Sequence, residues 1–208
     1  MTDAPNLKAA YMLQTPDDSK RLYARWATSY DSDFAAAKDF RMPRDVADIF
    51  RARGGEGPVL DAGAGTGLVA AAICAGGACV VDAFDISAEM LAVAEKKAVY
   101  RTLVQGDLSQ RLPFEDGSYA AVVSAGTFTH GHVGPDALPE LLRVARPAAL
   151  FVLTIKKTYF DEGGFAAALE GFGAAITGFE TVLRPIYGTG PEAERDKAEG
   201  LITSFRKA

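Results

Sequence analysis

Three aspartates and a run of glycines hold most of the chemistry the sequence offers. Asp61 stands just before the loop Gly63-Ala64-Gly65-Thr66-Gly67, Asp85 lies in Phe84-Asp85-Ile86-Ser87, and Asp107 lies in Gln105-Gly106-Asp107-Leu108. Glycines in such a loop let a ligand approach the backbone more closely than a Cβ permits. A strand, a glycine-rich turn and a helix in succession bind nucleotides at the carboxyl ends of parallel strands. A dinucleotide fingerprint would read G-x-G-x-x-G, but here Leu68 stands where its third glycine belongs. A carboxylate at Asp61 would repel a pyrophosphate, whereas it suits an ammonium group held directly or through water. Asp85 is placed to accept both hydroxyls of a ribose and Asp107 to accept from an exocyclic adenine amine. Ile86 and Leu108 can then pack against the two faces of the purine.

A ligand with adenine, ribose, an ammonium and no phosphate is S-adenosylmethionine. Three further groups bear on that reading. Met90 follows Asp85 on the next helix, and Ser124 closes the fourth strand. Tyr23, Trp26 and Tyr30 fall at i, i+3 and i+7 and share one helix face. These aromatics can cover the methionine end of a cofactor and exclude water, or anchor the helix to the core, the latter especially for Trp26. His130 and His132 are the only histidines and follow the fourth strand, near where its carboxyl end should face a transferred methyl group. They are the candidate catalytic residues, for acceptor binding or proton removal by an imidazole of near-neutral pKa, with bracing of the glycine-rich loop as the competing role. A metal would want a third ligand, and Asp136 is the only nearby carboxylate, so no metal is expected.

The elements that position these groups follow from local signals. Thr15-Pro16-Asp17-Asp18 reads as a helix start, with a cap, a proline at the first position and acids at the positive end of the dipole. A second helix begins near Met42, carries Val46, Ile49 and Phe50 as its apolar stripe, and ends at Gly54-Gly55. From residue 58 short apolar strands alternate with helices. Strands are expected at Val59-Leu60, Cys79 to Phe84, Thr102 to Gln105, Tyr119 to Ser124, Leu150 to Ile155, Ile176 to Ile186 and Leu201 to Phe205. Helices are expected over Thr66 to Ala75, after the Ser87 cap, from Pro135, and around Phe165, Leu169 and Phe172. This alternation predicts an α/β fold with one seven-stranded, mostly parallel sheet, helices on both faces and the last strand antiparallel. The polar connection Tyr187 to Gly200 would join the last two strands at the sheet edge. One domain over residues 1–208 is expected, with 1–55 as a helical N-terminal cover and 56–208 as a cofactor-binding α/β core.

Four stretches together resemble the class I S-adenosylmethionine-dependent methyltransferases, and more narrowly the Williams–Beuren-region methyltransferase-like proteins. They are Tyr23-Ala24-Arg25-Trp26-Ala27-Thr28-Ser29-Tyr30-Asp31, Asp61 to Gly67, Asp85-Ile86-Ser87 with Met90-Leu91, and Gly126-Thr127-Phe128-Thr129-His130-Gly131-His132-Val133-Gly134-Pro135. The resemblance implies a Rossmann-like fold and cofactor contacts at Gly63, Gly65, Asp85, Ile86, Asp107 and Leu108. It supplies no acceptor. Ala148-Ala149 stands where many class I methyltransferases carry two glycines before the fifth strand, which leaves the shape of that turn open. No Asn/Asp-Pro-Pro-aromatic sequence follows the fourth strand, as it does in many amino-group methyltransferases of nucleobases. The alternatives are a nicotinamide-dependent oxidoreductase, which lacks a role for Asp107, and a regulatory protein that binds the cofactor without turnover.

Composition narrows the partners. The chain has 208 residues, 49% hydrophobic and 24% charged, with a net charge of −5. That is ordinary globular composition for one domain, and it offers no basic field for a nucleic acid backbone. A small-molecule acceptor is therefore expected over DNA, with a protein acceptor as the alternative, and no nucleic acid or membrane partner. The N-terminal residues show no apolar signal region, and the longest apolar stretch, Ala148 to Ile155, is too short to cross a bilayer. Cys74 and Cys79 are the only cysteines, spaced for neither a redox nor a zinc motif. They are expected as small buried fillers in a cytoplasmic protein.

Overall fold

The computed structural model describes residues 5–10, 12, 13, 15–188 and 198–208. Helix α1 (Leu7–Ala10) is followed by α2 (Pro16–Trp26), a π-helical turn (Tyr30–Ala36) and α3 (Met42–Ala52). The sheet is built from β1 (Val59–Ala62), β2 (Val81–Asp85), β3 (Thr102–Gln105), β4 (Tyr119–Phe128), β5 (Ala145–Lys156), β6 (Ile176–Pro185) and β7 (Glu199–Lys207). Between the strands lie α4 (Leu68–Cys74), α5 (Ala88–Glu95), α6 (Leu138–Val144), α7 (Lys157–Glu162) and α8 (Phe165–Gly171).

The strand order is β3-β2-β1-β4-β5-β7-β6. β1 pairs in parallel with both β2 and β4, while β7 pairs antiparallel with β5 and with β6. The last strand is thus reversed as expected, but it inserts between β5 and β6, and β6 forms the edge. Most of the connection that joins them, residues 189–197, lies outside the described residues. The order reverses between β1 and β4, so their carboxyl ends splay and leave a crevice there.

Both faces of the central strands are covered, which is why these strands read as continuous apolar runs. Leu60, Phe84, Val122, Phe151 and Phe205 pack on one face with Leu138 and Leu141 of α6 and Phe165 of α8. Val59, Val81, Val123, Val152 and Ile202 pack on the other with Val46 and Phe50 of α3 and Val69 and Ile73 of α4. The aromatic face of α2 forms a third cluster, in which Trp26 meets Leu22, Phe34 and Tyr187.

The local start signals hold. Thr15 Oγ1 accepts from the Asp18 amide at 3.2 Å while Asp18 Oδ2 accepts from the Thr15 amide at 3.1 Å, a reciprocal cap for α2. Ser87 Oγ caps α5 by accepting from the Met90 amide. Several elements differ from expectation. α4 begins at Leu68, because Thr66 and Gly67 belong to the loop, and β2 begins at Val81. β4 continues past Ser124 to Phe128 through an irregular register. α7 and the π-helical turn carry no capping signal to betray them.

Two findings revise the sequence reading. Cys74 and Cys79 are not separate fillers: the chain turns back after α4, their Cα atoms come within 5.6 Å, and the sulfurs are bonded. Ala148 takes a left-handed φ of +63° inside β5, where the register with β4 is irregular, so this bend keeps a glycine-like shape without the glycine. Among the described residues no helix is long and apolar enough to cross a membrane.

Candidate active site

The crevice at the ends of β1, β2, β3 and β4 opens into a cleft of about 150 Å³. Its floor is the glycine loop. Gly63 has φ +74°, and a Cβ built on it would fall 2.1 Å from Thr127 Oγ1, so the loop packs directly on β4. Gly65 has φ +53° and faces open space, where a ligand backbone contact is possible only because no side chain is present.

Asp85 holds this loop in place. Its Oδ2 accepts from the Gly65 amide at 2.7 Å and its Oδ1 from the Ser87 amide at 2.9 Å. Each oxygen retains a lone pair for a ligand hydroxyl. Burial pushes the Asp85 carboxyl up, against the pull of these amides. Asp107 Oδ1 accepts from the Ser109 amide at 2.8 Å, which fixes the turn after β3. Ile86, Met90 and Leu108 line the same cleft.

Asp61 lies beneath the loop, fully buried. Its Oδ2 accepts from the Tyr100 hydroxyl at 2.7 Å, and its Oδ1 has no hydrogen-bond partner. Burial pushes its carboxyl up to about 7, a rise that Asp85 reinforces and the Tyr100 hydroxyl opposes. A buried half-satisfied carboxylate at a ligand cleft is costly to keep and suits a cationic partner.

The N-terminal helices close the cleft from above. Tyr23 and Tyr30 line it, and Tyr23 stacks on Trp26, which is itself buried behind it. The Tyr23 hydroxyl meets His132 Nε2 at 2.9 Å, and His132 Nδ1 lies 3.1 Å from the His130 carbonyl. Since a carbonyl only accepts, Nδ1 must carry the proton, and Nε2 accepts from Tyr23. Burial pushes the His132 imidazole below its ordinary value. A second tie comes from Asp31, whose carboxylate accepts from Thr66 Oγ1 at 2.5 Å and from Lys97 Nζ at 2.6 Å. Lys97 Nζ also donates to the Thr66 carbonyl. The cover and the glycine loop are therefore one bonded unit.

The structure thus brings Tyr23, Tyr30, Gly63, Gly65, Asp85, Ile86, Met90, Asp107, Leu108 and His132 to a single cleft. It leaves others outside its walls. Trp26 packs behind Tyr23, Asp61 lies under the loop, and Ser124 is buried with its hydroxyl donating to the Ala62 carbonyl at 2.6 Å. His130 points away, its ring against Tyr159 and its Nε2 3.3 Å from Glu162. Among the described residues no cluster of histidine, cysteine and carboxylate side chains could hold a metal. Sequence reasoning missed Asp31, Lys97 and Tyr100. Asp31 adjoins Tyr30 in a stretch already singled out, but a lysine and a tyrosine near a helix end look like ordinary surface residues.

The groups on the cleft fit S-adenosylmethionine: the Asp85 carboxylate for a ribose, an open glycine cradle, and apolar walls at Ile86 and Leu108 for a purine. The comparisons agree with it. Residues 59–148 match the methyltransferase domain family. Human methyltransferase-like protein 27 is 36% identical over 149 residues, which is 68% of this chain and 60% of that protein's own length. Demethylmenaquinone methyltransferase of Beutenbergia cavernae is 30% identical over 187 residues, covering 88% of this chain and 75% of that protein. In three dimensions, an S-adenosyl-L-methionine-dependent methyltransferase of Methanococcus maripaludis superposes with a TM-score of 0.63 at 18% identity, over 91% of this chain and 93% of that one.

Proposed function

Because the chain belongs to the class I S-adenosylmethionine-dependent methyltransferases, we propose that it methylates a small-molecule acceptor docked against the Tyr23–His132 pair. The cofactor supplies a methyl group on a positively charged sulfur, ready for displacement by a nucleophile. The chain's task is alignment, exclusion of water and, where the acceptor carries a proton, its removal. In this reading Asp85 and Asp107 hold ribose and adenine, Gly63 and Gly65 admit the cofactor to the backbone, and Met90, Ile86 and Leu108 pack around it. Asp61 answers the ammonium group from beneath the loop. Residues 1–55 act as the cover and 56–208 as the core of one domain, joined by the Tyr23–His132 and Asp31–Thr66 bonds.

The observation that carries the proposal is the fixed tautomer of His132. Its lone pair at Nε2 accepts from the Tyr23 hydroxyl, both residues lining the cleft, and its lowered pKa keeps it neutral near pH 7. An acceptor hydroxyl that displaces the Tyr23 hydroxyl presents its proton to that lone pair. His130 contributes the carbonyl that orients the ring, and its own side chain serves the surface pair with Glu162. No comparison favours a nicotinamide enzyme, and net charge −5 disfavours a nucleic acid acceptor.

The test uses radiolabelled S-adenosylmethionine and a metabolite pool, with cofactor affinity measured in parallel by calorimetry. His132→Asn should bind cofactor normally and lose about 10²–10⁴-fold in transfer. His130→Asn should change neither by much. Full turnover in His132→Asn would remove the base assignment, and a protein that binds cofactor but labels nothing would favour the regulatory alternative.

A further inference from the structure

The sheet ends on one side at β6, which among the described residues has β7 for its only neighbour and is exposed along most of its length. The Ile186 amide donates to the Ala198 carbonyl at 2.9 Å, toward β7. Alternation then turns the amides of Arg184, Val182 and Glu180 toward β7 as well, and those of Leu183 and Thr181 to the open side. Pro185 falls in this outward set, where it costs the sheet no ladder bond. The Leu183 carbonyl accepts from Arg184 Nη1 at 3.2 Å, a side chain standing in for a neighbouring strand. An open edge of this kind is a template for a further strand.

The side chains of β6 match a second copy of the same strand. Glu180 and Arg184 share the face toward α3: Glu180 is ion-paired with Arg53, just past that helix, and Arg184 sits close enough to Asp45 to draw its carboxyl down, against burial. Phe179, Thr181 and Leu183 alternate to the opposite face. Phe179 and Leu183 are 43% and 42% exposed, among the few large apolar side chains left to solvent in the described residues. When two β6 strands run antiparallel about a two-fold axis at Val182, Glu180 of each copy lies opposite Arg184 of the other. The same register sets Thr181 against Leu183 of the second copy, and each such pair can exchange both backbone hydrogen bonds. It also brings Phe179 diagonally to Leu183 of the second copy, at about 7–8 Å, within reach of an aromatic ring. A two-fold at Thr181 would instead set Glu180 against Val182 and lose the direct charge pairs. Charge, backbone and apolar cover are thus served by one register.

We propose that β6 is a self-recognition edge, through which two copies of this chain pair antiparallel about Val182 and join their sheets. The bulge between Thr177 and Glu180 and the Pro185 ring confine the pairing to a short segment. The contact is therefore small, and the dimer dissociates on dilution. Because it uses one edge of each copy against itself, it closes at two chains. No residue of β6 lines the cofactor cleft, so the inference stands apart from the methyltransferase reading.

Sedimentation equilibrium over about 1 μM to about 1 mM protein should show the average mass rising from one chain towards two and stopping there. Glu180→Arg and Arg184→Glu, each alone, should weaken association by about tenfold or more, because like charges then face each other twice. An equimolar mixture of the two variants should recover the parent's association, since the exchanged charges pair again across the two chains. Thr181→Pro removes an outward amide and no bond to β7, so it should abolish association while thermal melting and S-adenosylhomocysteine binding stay as in the parent. Should that variant melt early, the mixture decides. The inference is overturned if the parent remains a single chain throughout, which would leave the edge to solvent or to a different partner. It is overturned equally if the mixture associates no better than its components, if a folded Thr181→Pro pairs as the parent does, or if the mass grows beyond two chains.

Discussion

Substituting Asn for Asp61 should make the ligand-free protein more stable above pH 7 and a poorer binder of S-adenosylmethionine. The Asp61 carboxyl rises from 3.8 in the unfolded chain to about 7 in the folded one, chiefly through burial. Between those values the native state holds a proton that the unfolded state has released, so stability falls as pH rises through the window and levels off above about 7. Roughly three units at about 1.4 kcal/mol each make the ionised carboxylate cost the folded protein about 4 kcal/mol. Asn carries no charge and its oxygen can still accept from Tyr100, but its amide hydrogens fall where Oδ1 already lacks a partner. That deficit returns about 1–3 kcal/mol, leaving a net gain of about 1–3 kcal/mol at pH 8. Urea denaturation at pH 5 and pH 8 isolates the ionisation, because most of it occurs between them. The stability difference between Asp61→Asn and the parent should grow by about 2–3 kcal/mol over that interval. Calorimetry should show weaker binding of S-adenosylhomocysteine to the variant. In the parent, affinity should rise with pH up to about 7, with proton release on binding below it. A stability difference that is flat from pH 5 to 8 would refute the reasoning, since Asp61 would then ionise like an exposed carboxyl.

Asp85→Ala should lower cofactor affinity at least tenfold and also lower the melting temperature, because the carboxylate clamps the Gly65 and Ser87 amides at about 1.5–3 kcal/mol per charged bond. Affinity lost with melting unchanged would mean that the clamp does little for the loop. Gly63→Ala should destabilise by about 1–3 kcal/mol in thermal melts, since the new methyl group meets Thr127 and the residue must keep a positive φ. Ala148→Gly should stabilise by about 0.5–1 kcal/mol, as relief of the left-handed φ outweighs the added chain entropy. The His132→Asn series carries a pH dependence as well: transfer in the parent should hold down to pH values below the ordinary imidazole range and fall only beneath them, because burial lowers the His132 pKa.

Most of the strand-end side of the cleft was legible in the sequence, and most of the side formed by the N-terminal cover was not, for a physical reason. Gly63, Gly65, Asp85 and Asp107 sit at fixed offsets from strand ends, and a parallel sheet places every strand end at one edge, so spacing along the chain converts directly into position in space. The cover's side is assembled by contacts between remote segments: Tyr23 with His132, Asp31 with Thr66 and Lys97, Phe34 with Tyr187. No periodicity announces such pairs. The two histidines show the limit most sharply, since they are two residues apart and equal as sequence. A turn in which the His132 amide donates to the Thr129 carbonyl sends one ring into the cleft and leaves the other beside Glu162. The same turn puts the His130 carbonyl where it sets the tautomer of His132, so the residue that faces away still acts on the cleft through its backbone. A substitution changes a side chain and spares that carbonyl, which is why the two Asn variants should behave so differently despite their near-identical place in the chain.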